Sequence, residues 1–204
     1  MQKQIFIAGC GRSGTRPLLR LMSCFADTYV YLQEEVPVSF FDQLDRPERN
    51  VVIKRTARCY RTLEELSPDI DLIYCIRHPF DTMTSKLRPE DEHFHITSSR
   101  WKSEFRALCR LERVQPNRQI SFVRYENLVT NPDEVQTSLS TSMGLEACHL
   151  FSDNPHTATI RKTSVRKWGK SPILLDNLSP ILSELRDDLN SFCSRFEYDL
   201  PETA

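Results

Sequence analysis

Apolar residues fall along this chain in short unbroken runs separated by longer stretches in which apolar and polar positions alternate with helical spacing. The runs Gln4–Ala8, Tyr29–Leu32, Asn50–Lys54, Leu72–Ile76 and Gln119–Val123 predict strands. Several of them are continuously apolar, as strands of a parallel sheet covered on both faces must be. Helical patterns occupy Thr15–Phe25, Val36–Leu44, Arg58–Leu66, Phe80–Leu87, Ser98–Val114 and Asp133–Met143, and a last helix is predicted near Pro180–Phe196. The order predicts a doubly wound α/β fold, a central, mostly parallel sheet flanked by helices.

Punctuation supports the pattern. Asn131 is placed to cap a helix, Pro132 stands at its first position, acidic residues follow, and Gly144 closes it. Residues 88–97 and 152–177 read as long surface segments, which in compact domains often carry function. No repeat, low-complexity tract or linker divides the chain, so its 204 residues predict a single domain spanning 1–204.

Composition narrows the chemistry. A net charge of −1 excludes a surface built to coat nucleic acid or anionic membrane. Any cationic site must be local. The seven cysteines are scattered, with no C-x-x-C pair for a metal or redox centre. That pattern suits a reducing compartment. No stretch matches a membrane span, and a first strand starting close to Met1 leaves no room for a signal peptide. The expectation is a cytoplasmic protein with no membrane span.

The chemistry begins at residues 5–22, IFIAGCGRSGTRPLLRLM, which read as a buried strand, a glycine-rich turn and a helix. Gly9-x-x-x-x-Gly14 has the spacing of a phosphate-binding P-loop, whose amides can hold an anion. In loops that use ATP or GTP, a Lys follows the second glycine and reaches the β/γ-phosphates. Here that residue is Thr15, and the cation inside the loop is Arg12. Such enzymes also place a metal-binding Asp at the end of a neighbouring strand. The strand LIYCIR ends instead in Arg77. The site is therefore expected to hold an anionic nucleotide with basic side chains and no metal. The plainer alternative is a tight strand-to-helix turn that binds nothing.

At these residues the sequence resembles the P-loop sulfotransferases that use 3′-phosphoadenosine 5′-phosphosulfate (PAPS) as donor and release 3′-phosphoadenosine 5′-phosphate (PAP). GCGRSGT is similar to the family's phosphosulfate loop, commonly P-R-S-G-T-T. CIRHPFDTMTSKL is similar to its 3′-phosphate strand and helix, with Arg77 and Ser85 eight residues apart. VRYENLVTNPDE is similar to R-Y-E-D-L-x-x-D-P, and IRKTSVRKW to the R-K-G segment with its following Trp, here Trp168. The resemblance implies a P-loop NTPase-like three-layer fold and transfer of sulfonate to a hydroxyl or amine. It implies that Gly11, Arg12, Ser13, Gly14, Thr15 and Arg16 meet the 5′-phosphosulfate. It assigns Arg77, Ser85, Arg161 and Lys162 to the 3′-phosphate, with Ser164 approaching the donor. A small P-loop kinase, a catalytically inactive nucleotide-binding module of the same fold, and an RNA binder are the competing readings.

The acceptor must lose a proton as it attacks, so a base is required near the loop. In the cytosolic small-molecule enzymes that base is a His two residues after a strand-end Lys. VVIKRT supplies Lys54 but puts Thr56 in the place of the His. The protein-tyrosine and some carbohydrate enzymes use a Glu beyond the loop, and VYLQEEVP supplies Glu34 and Glu35. Glu35 is the favoured base and Glu34 the alternative. Two neighbours on a strand end point to opposite sides, so one of them faces the donor. Lys54 is assigned to the oxygen between phosphorus and sulfur. Gly11 stands where the family has Pro, and Arg16 where it has a second Thr; Arg16 either helps the donor or faces an acidic acceptor. His93 and His95 suit an exposed lid, an acceptor contact or a metal. Trp101, Phe105 and Leu108 have core spacing, and Arg124, Tyr125 and Glu126 read as braces of the sheet. The acceptor – carbohydrate, lipid, peptide or small molecule – is not encoded in any motif.

Overall fold

The computed structural model describes residues 2–33, 35–55, 61–86, 88, 90–91, 93–160, 162–170 and 172–200, the side chains of 159, 162, 169, 170 and 172–182 excepted. Five strands, β1 (Lys3–Gly9), β2 (Thr28–Val30), β3 (Asn50–Lys54), β4 (Asp71–Ile76) and β5 (Ile120–Arg124), form one sheet in the order β2-β3-β1-β4-β5. Every pairing is parallel. The helices are α1 (Thr15–Leu21), α2 (Pro79–Met83), α3 (Ser98–Val114), α4 (Tyr125–Thr130), α5 (Pro132–Met143) and α6 (Pro172–Phe196). This is the P-loop NTPase-like architecture.

The continuous apolar runs have the cause expected of them. In β1, Ile5 and Ile7 face a layer containing Leu18, Leu128 and Leu139 from α1, α4 and α5. Phe6 and Ala8 face the opposite layer, with Trp101, Phe105 and Leu108 of α3 and Leu189 and Phe192 of α6. Each face of the strand is thus buried, and alternation would have exposed one of them. Helix α3 starts where Thr97 accepts a hydrogen bond from the Arg100 N–H at 3.2 Å, a side-chain N-cap. Helix α5 has the predicted Pro132 and acidic first turn and ends at Gly144 in the left-handed region. Asn131 occupies the predicted N-cap position, but its side chain bonds no helix N–H; its amide instead donates to the Glu134 carboxylate at 3.1 Å.

Several expected helices are shorter. Residues Val38–Gln43 form a 3-10 helix, as do Leu63–Glu65. The predicted helix Arg58–Leu66 begins at a position outside the described residues. Helix α1 gives way to a 3-10 turn at Met22–Cys24, and α2 stops at Met83. The last helix starts at Pro172, eight residues early. Strand β2 ends at Val30, so Glu35 sits in the connection beyond it and not on a strand end.

Parallel order fixes where chemistry can occur. The C-terminal ends of β3, β1 and β4 lie side by side, and carry Lys54, the glycine loop and Arg77. Such a carboxyl edge is where open α/β sheets bind ligands.

Candidate active site

The loop between β1 and α1 has the backbone of an anion nest. Gly9, Arg12 and Gly14 have φ of 135°, 73° and 97°. A left-handed non-glycine residue such as Arg12 costs on the order of 1–2 kcal/mol and is held only when its surroundings demand it. The loop is closed on itself by Ser13, whose N–H and hydroxyl both donate to the Cys10 carbonyl, at 3.1 and 2.6 Å. Gly14 is required twice over. Its φ is left-handed, and a Cβ there would lie 2.7 Å from Cδ2 of Tyr125. At Gly11 the space that the family's proline would need faces Ile96 and the Arg100 guanidinium, which would lie 3.0 and 3.3 Å from a Cβ.

On the β4 side, Arg77 is 5% exposed. Its Nη1 donates to the Arg12 carbonyl at 2.9 Å and reaches Ser85 Oγ at 3.4 Å, and its Nη2 donates to the Ser164 carbonyl at 2.5 Å. The guanidinium lies 4.3 Å from the centre of the Tyr125 ring. Tyr125 in turn hydrogen-bonds Ser164 Oγ at 2.7 Å. Arg77 and Ser85 thus lie together, beside the backbone of Arg12 and Ser164, and Tyr125 packs on the same cluster. Arg161 lies outside the described residues, as does the side chain of Lys162.

A cation absent from the sequence reading completes this cluster. Lys167 Nζ donates to Ser85 Oγ at 3.0 Å and to the Thr84 carbonyl at 2.8 Å. Burial, and then the positive charge of Arg77, push its pKa down to about 8. It is placed there by Asp81, a fully buried carboxylate on α2 that accepts the N–H groups of Arg166 at 2.7 Å and Trp168 at 3.2 Å. The one signal in the sequence was its place next to Trp168.

On the β3 side a cavity of about 300 Å³ is lined by Gly11, Arg12, Thr15, Arg16, Leu19, Arg20, Leu32, Gln33, Glu35, Lys54 and His95. Lys54 is 7% exposed and its ammonium is ion-paired with Glu35. Glu34 lies outside the described residues, as does Thr56. His95 is anchored by its N–H to the Ser85 carbonyl at 2.8 Å. Desolvation, then the charges of Arg100 and Arg12, lower its pKa and favour the neutral ring. Among the described residues no three His, Cys, Asp or Glu side chains gather as a metal site.

Beneath the loop lies Glu104 of α3, 1% exposed, with Oε1 unpartnered among the described residues. Desolvation raises its pKa to about 8 against the opposing charge of Arg100. It shares a small cavity of about 20 Å³ with Cys10, Ser13 and Arg77. The Arg77 Nε is also unpartnered and buried.

Comparison with known proteins agrees with this fold. The model of the sulfotransferase family matches residues 38–149, more than half of the chain, though not the loop itself. The chain is similar in structure to the sulfotransferase domain from the curacin biosynthetic pathway, with a TM-score of 0.68 and 17% identity over 98% of this chain and 99% of that one. It is also similar to the sulfotransferase domain from the Synechococcus PCC 7002 olefin synthase, with a TM-score of 0.64 and 17% identity over 98% of each. At such identity the likeness speaks for the fold alone. A search among curated proteins finds no match. None of the described helices is long and apolar enough to cross a membrane.

Proposed function

The chain belongs to the sulfotransferase family, and we propose that it transfers the sulfonate group of PAPS to a hydroxyl or amine of an acceptor. The observation that carries this reading is the second cationic centre beside the loop. Arg77 and Lys167 converge on the hydroxyl of Ser85. A nucleotide with phosphate only on its 5′ side has no use for such a centre, whereas PAPS carries a 3′-phosphate. The buried Arg77 Nε adds a donor that has no partner among the described residues.

In this proposal Arg12 and the amides of Gly11, Ser13, Gly14 and Thr15 hold the 5′-phosphosulfate, and Arg77, Ser85 and Lys167 hold the 3′-phosphate. By resemblance Arg161 and Lys162 join them, and Ser164 stands close by. The acceptor oxygen or nitrogen forms a bond to sulfur while the sulfur–oxygen bond to the 5′-phosphate breaks, its electron pair staying on that oxygen. Glu35, or Glu34 in its place, takes the acceptor's proton. Because Glu35 is the partner of Lys54, its protonation releases the ammonium. The charge of Lys54 then becomes available to the leaving oxygen at the moment it is needed. A cytoplasmic site of action belongs to the same proposal and rests on the scattered thiols, six of which are described and free.

The test is direct. PAP without metal should raise the melting temperature, ATP with Mg²⁺ should not, and radiolabelled sulfate should pass from PAPS to some member of a panel of phenols, sugars, lipids and peptides. Glu35→Gln should retain PAP binding and lower kcat by roughly 10²–10⁴-fold, the usual worth of a positioned base. Stabilisation by ATP–Mg²⁺ and not by PAP would favour a kinase instead. PAP binding with no turnover on any acceptor would favour an inactive module.

A further inference from the structure

The cavity beside the loop holds more positive charge than the donor needs. Among the described residues its walls carry Arg12, Arg16, Arg20 and Lys54 against one carboxylate, Glu35. The whole chain carries a net charge of −1, so this is a local excess. Arg12 and Lys54 face the phosphosulfate in the reading above, and Glu35 is already the partner of Lys54. Arg16 and Arg20 form no ion pair among the described residues. They stand one turn apart on α1, about 6 Å along its axis, and so present two cations to the same side.

Topology says which substrate that side receives. In the strand order β2-β3-β1-β4-β5 the loop follows the central β1. The 3′-phosphate cluster follows β4, on one flank of the loop. The cavity opens on the other flank, with Lys54 from β3 and with Leu32 and Gln33 just beyond β2. None of Arg77, Ser85 or Lys167 lines it. In-line displacement at sulfur requires the attacking atom to come from the side opposite the leaving nucleotide. The acceptor therefore enters past Leu19, Leu32, Arg16 and Arg20.

We propose that the acceptor is an anion: a hydroxyl or amine compound bearing a carboxylate or phosphate, which Arg16 and Arg20 grip while an apolar linker lies along Leu19 and Leu32. The proposal rests on the sulfotransfer reading for the direction of approach. The charge excess itself does not depend on it. Arginine is suited to the role, since its planar fork matches both oxyanions in bidentate fashion. Exposed Leu32, at 52%, supplies apolar surface at the mouth.

PAP-saturated protein titrated calorimetrically with 6-hydroxyhexanoate, 6-hydroxyhexyl phosphate and 1,6-hexanediol provides the test. Both anions should bind at least tenfold more tightly than the diol, and the advantage should shrink at high salt. Arg20→Gln should bring the anion-to-diol ratio toward one while PAP still binds, which also marks the variant as folded. Arg16→Gln should act in the same direction. The carboxylate and phosphate arms tell which oxyanion is preferred. Equal binding of diol and anions, no detectable anion binding, or an anion preference that survives Arg20→Gln would each overturn the proposal. So would loss of PAP binding in Arg20→Gln, which would assign that arginine to the donor. If the unaltered protein fails to bind PAP, the donor reading falls. The same titrations on unloaded protein then still decide the anion preference.

Discussion

The two flanks of the glycine loop are built differently. On the β4 flank the described side chains are held in place: Arg77 bonds two carbonyls and a hydroxyl, Lys167 bonds Ser85 and Thr84, and Asp81 fastens the turn that carries Lys167, with the Arg77 Nε left over. On the β3 flank Lys54 is paired with Glu35, but Arg16 and Arg20 form no ion pair among the described residues, and Leu32 is 52% exposed. A prebuilt site loses little side-chain entropy when its ligand arrives, whereas a loose one must order long side chains on binding. The contrast suits an invariant nucleotide on one flank and an acceptor that selects itself by charge on the other.

The strongest way to break that comparison is Arg77→Ala. It deprives the Arg12 and Ser164 carbonyls of a donor and removes the centre of the proposed 3′-phosphate cluster. PAP affinity measured by calorimetry should fall by about 100-fold or more, the scale of a desolvated charge contact. An unchanged dissociation constant would show that the β4 flank is not where the nucleotide sits.

A smaller effect is expected from Lys167→Met, on the order of tenfold at pH 7 for one charge-assisted hydrogen bond. Its pH dependence is the sharper readout. The lysine binds phosphate when charged, and its pKa in the free protein is lowered to about 8. PAP affinity of the unaltered protein should therefore decline as pH rises through about 8, and the decline should shrink in the variant. Titrations between pH 6.5 and 9.5 check this; an identical pH profile in both proteins would remove Lys167 from the site.

The smallest expected effect belongs to Glu104→Gln, between the flanks. Folding raises this carboxyl from its ordinary value to about 8. Across that window the folded chain binds more protons than the unfolded one, so stability falls as pH rises from about 4.5 to about 8 and is level above. Gln removes that fall. The variant should melt near the native temperature at pH 5 and several degrees higher at pH 8.5. Parallel melting curves at both pH values would argue against the buried acid.

The sheet was legible because parallel strands buried on both faces leave an unmistakable apolar run, and α3 because the core spacing of Trp101, Phe105 and Leu108 runs through residues 98–114. Residues 36–44 misled: the apolar positions are there, but they settle as a 3-10 helix with Phe41 alone fully buried within it. Helix α4 escaped notice because it follows β5 with no intervening loop. The loop and Arg77 could be read from spacing, since their neighbours in sequence are their neighbours in space. Lys167 could not. Its place depends on Asp81, 85 residues from Arg166 along the chain, and no local pattern records such a clasp. Arg20 was hidden for a different reason: only the cavity makes a helix-surface arginine part of a site.

Tyr125 meets three segments of the proposed donor site at once. Its ring fills the space a side chain at Gly14 would need, faces the Arg77 guanidinium, and carries the hydroxyl bonded to Ser164. Residues joined through a shared neighbour do not contribute independently. Losses measured singly at Arg77, Tyr125 and Ser164 will consequently overlap, and a triple variant will lose far less binding energy than their sum. In energetic terms the three segments behave as one component.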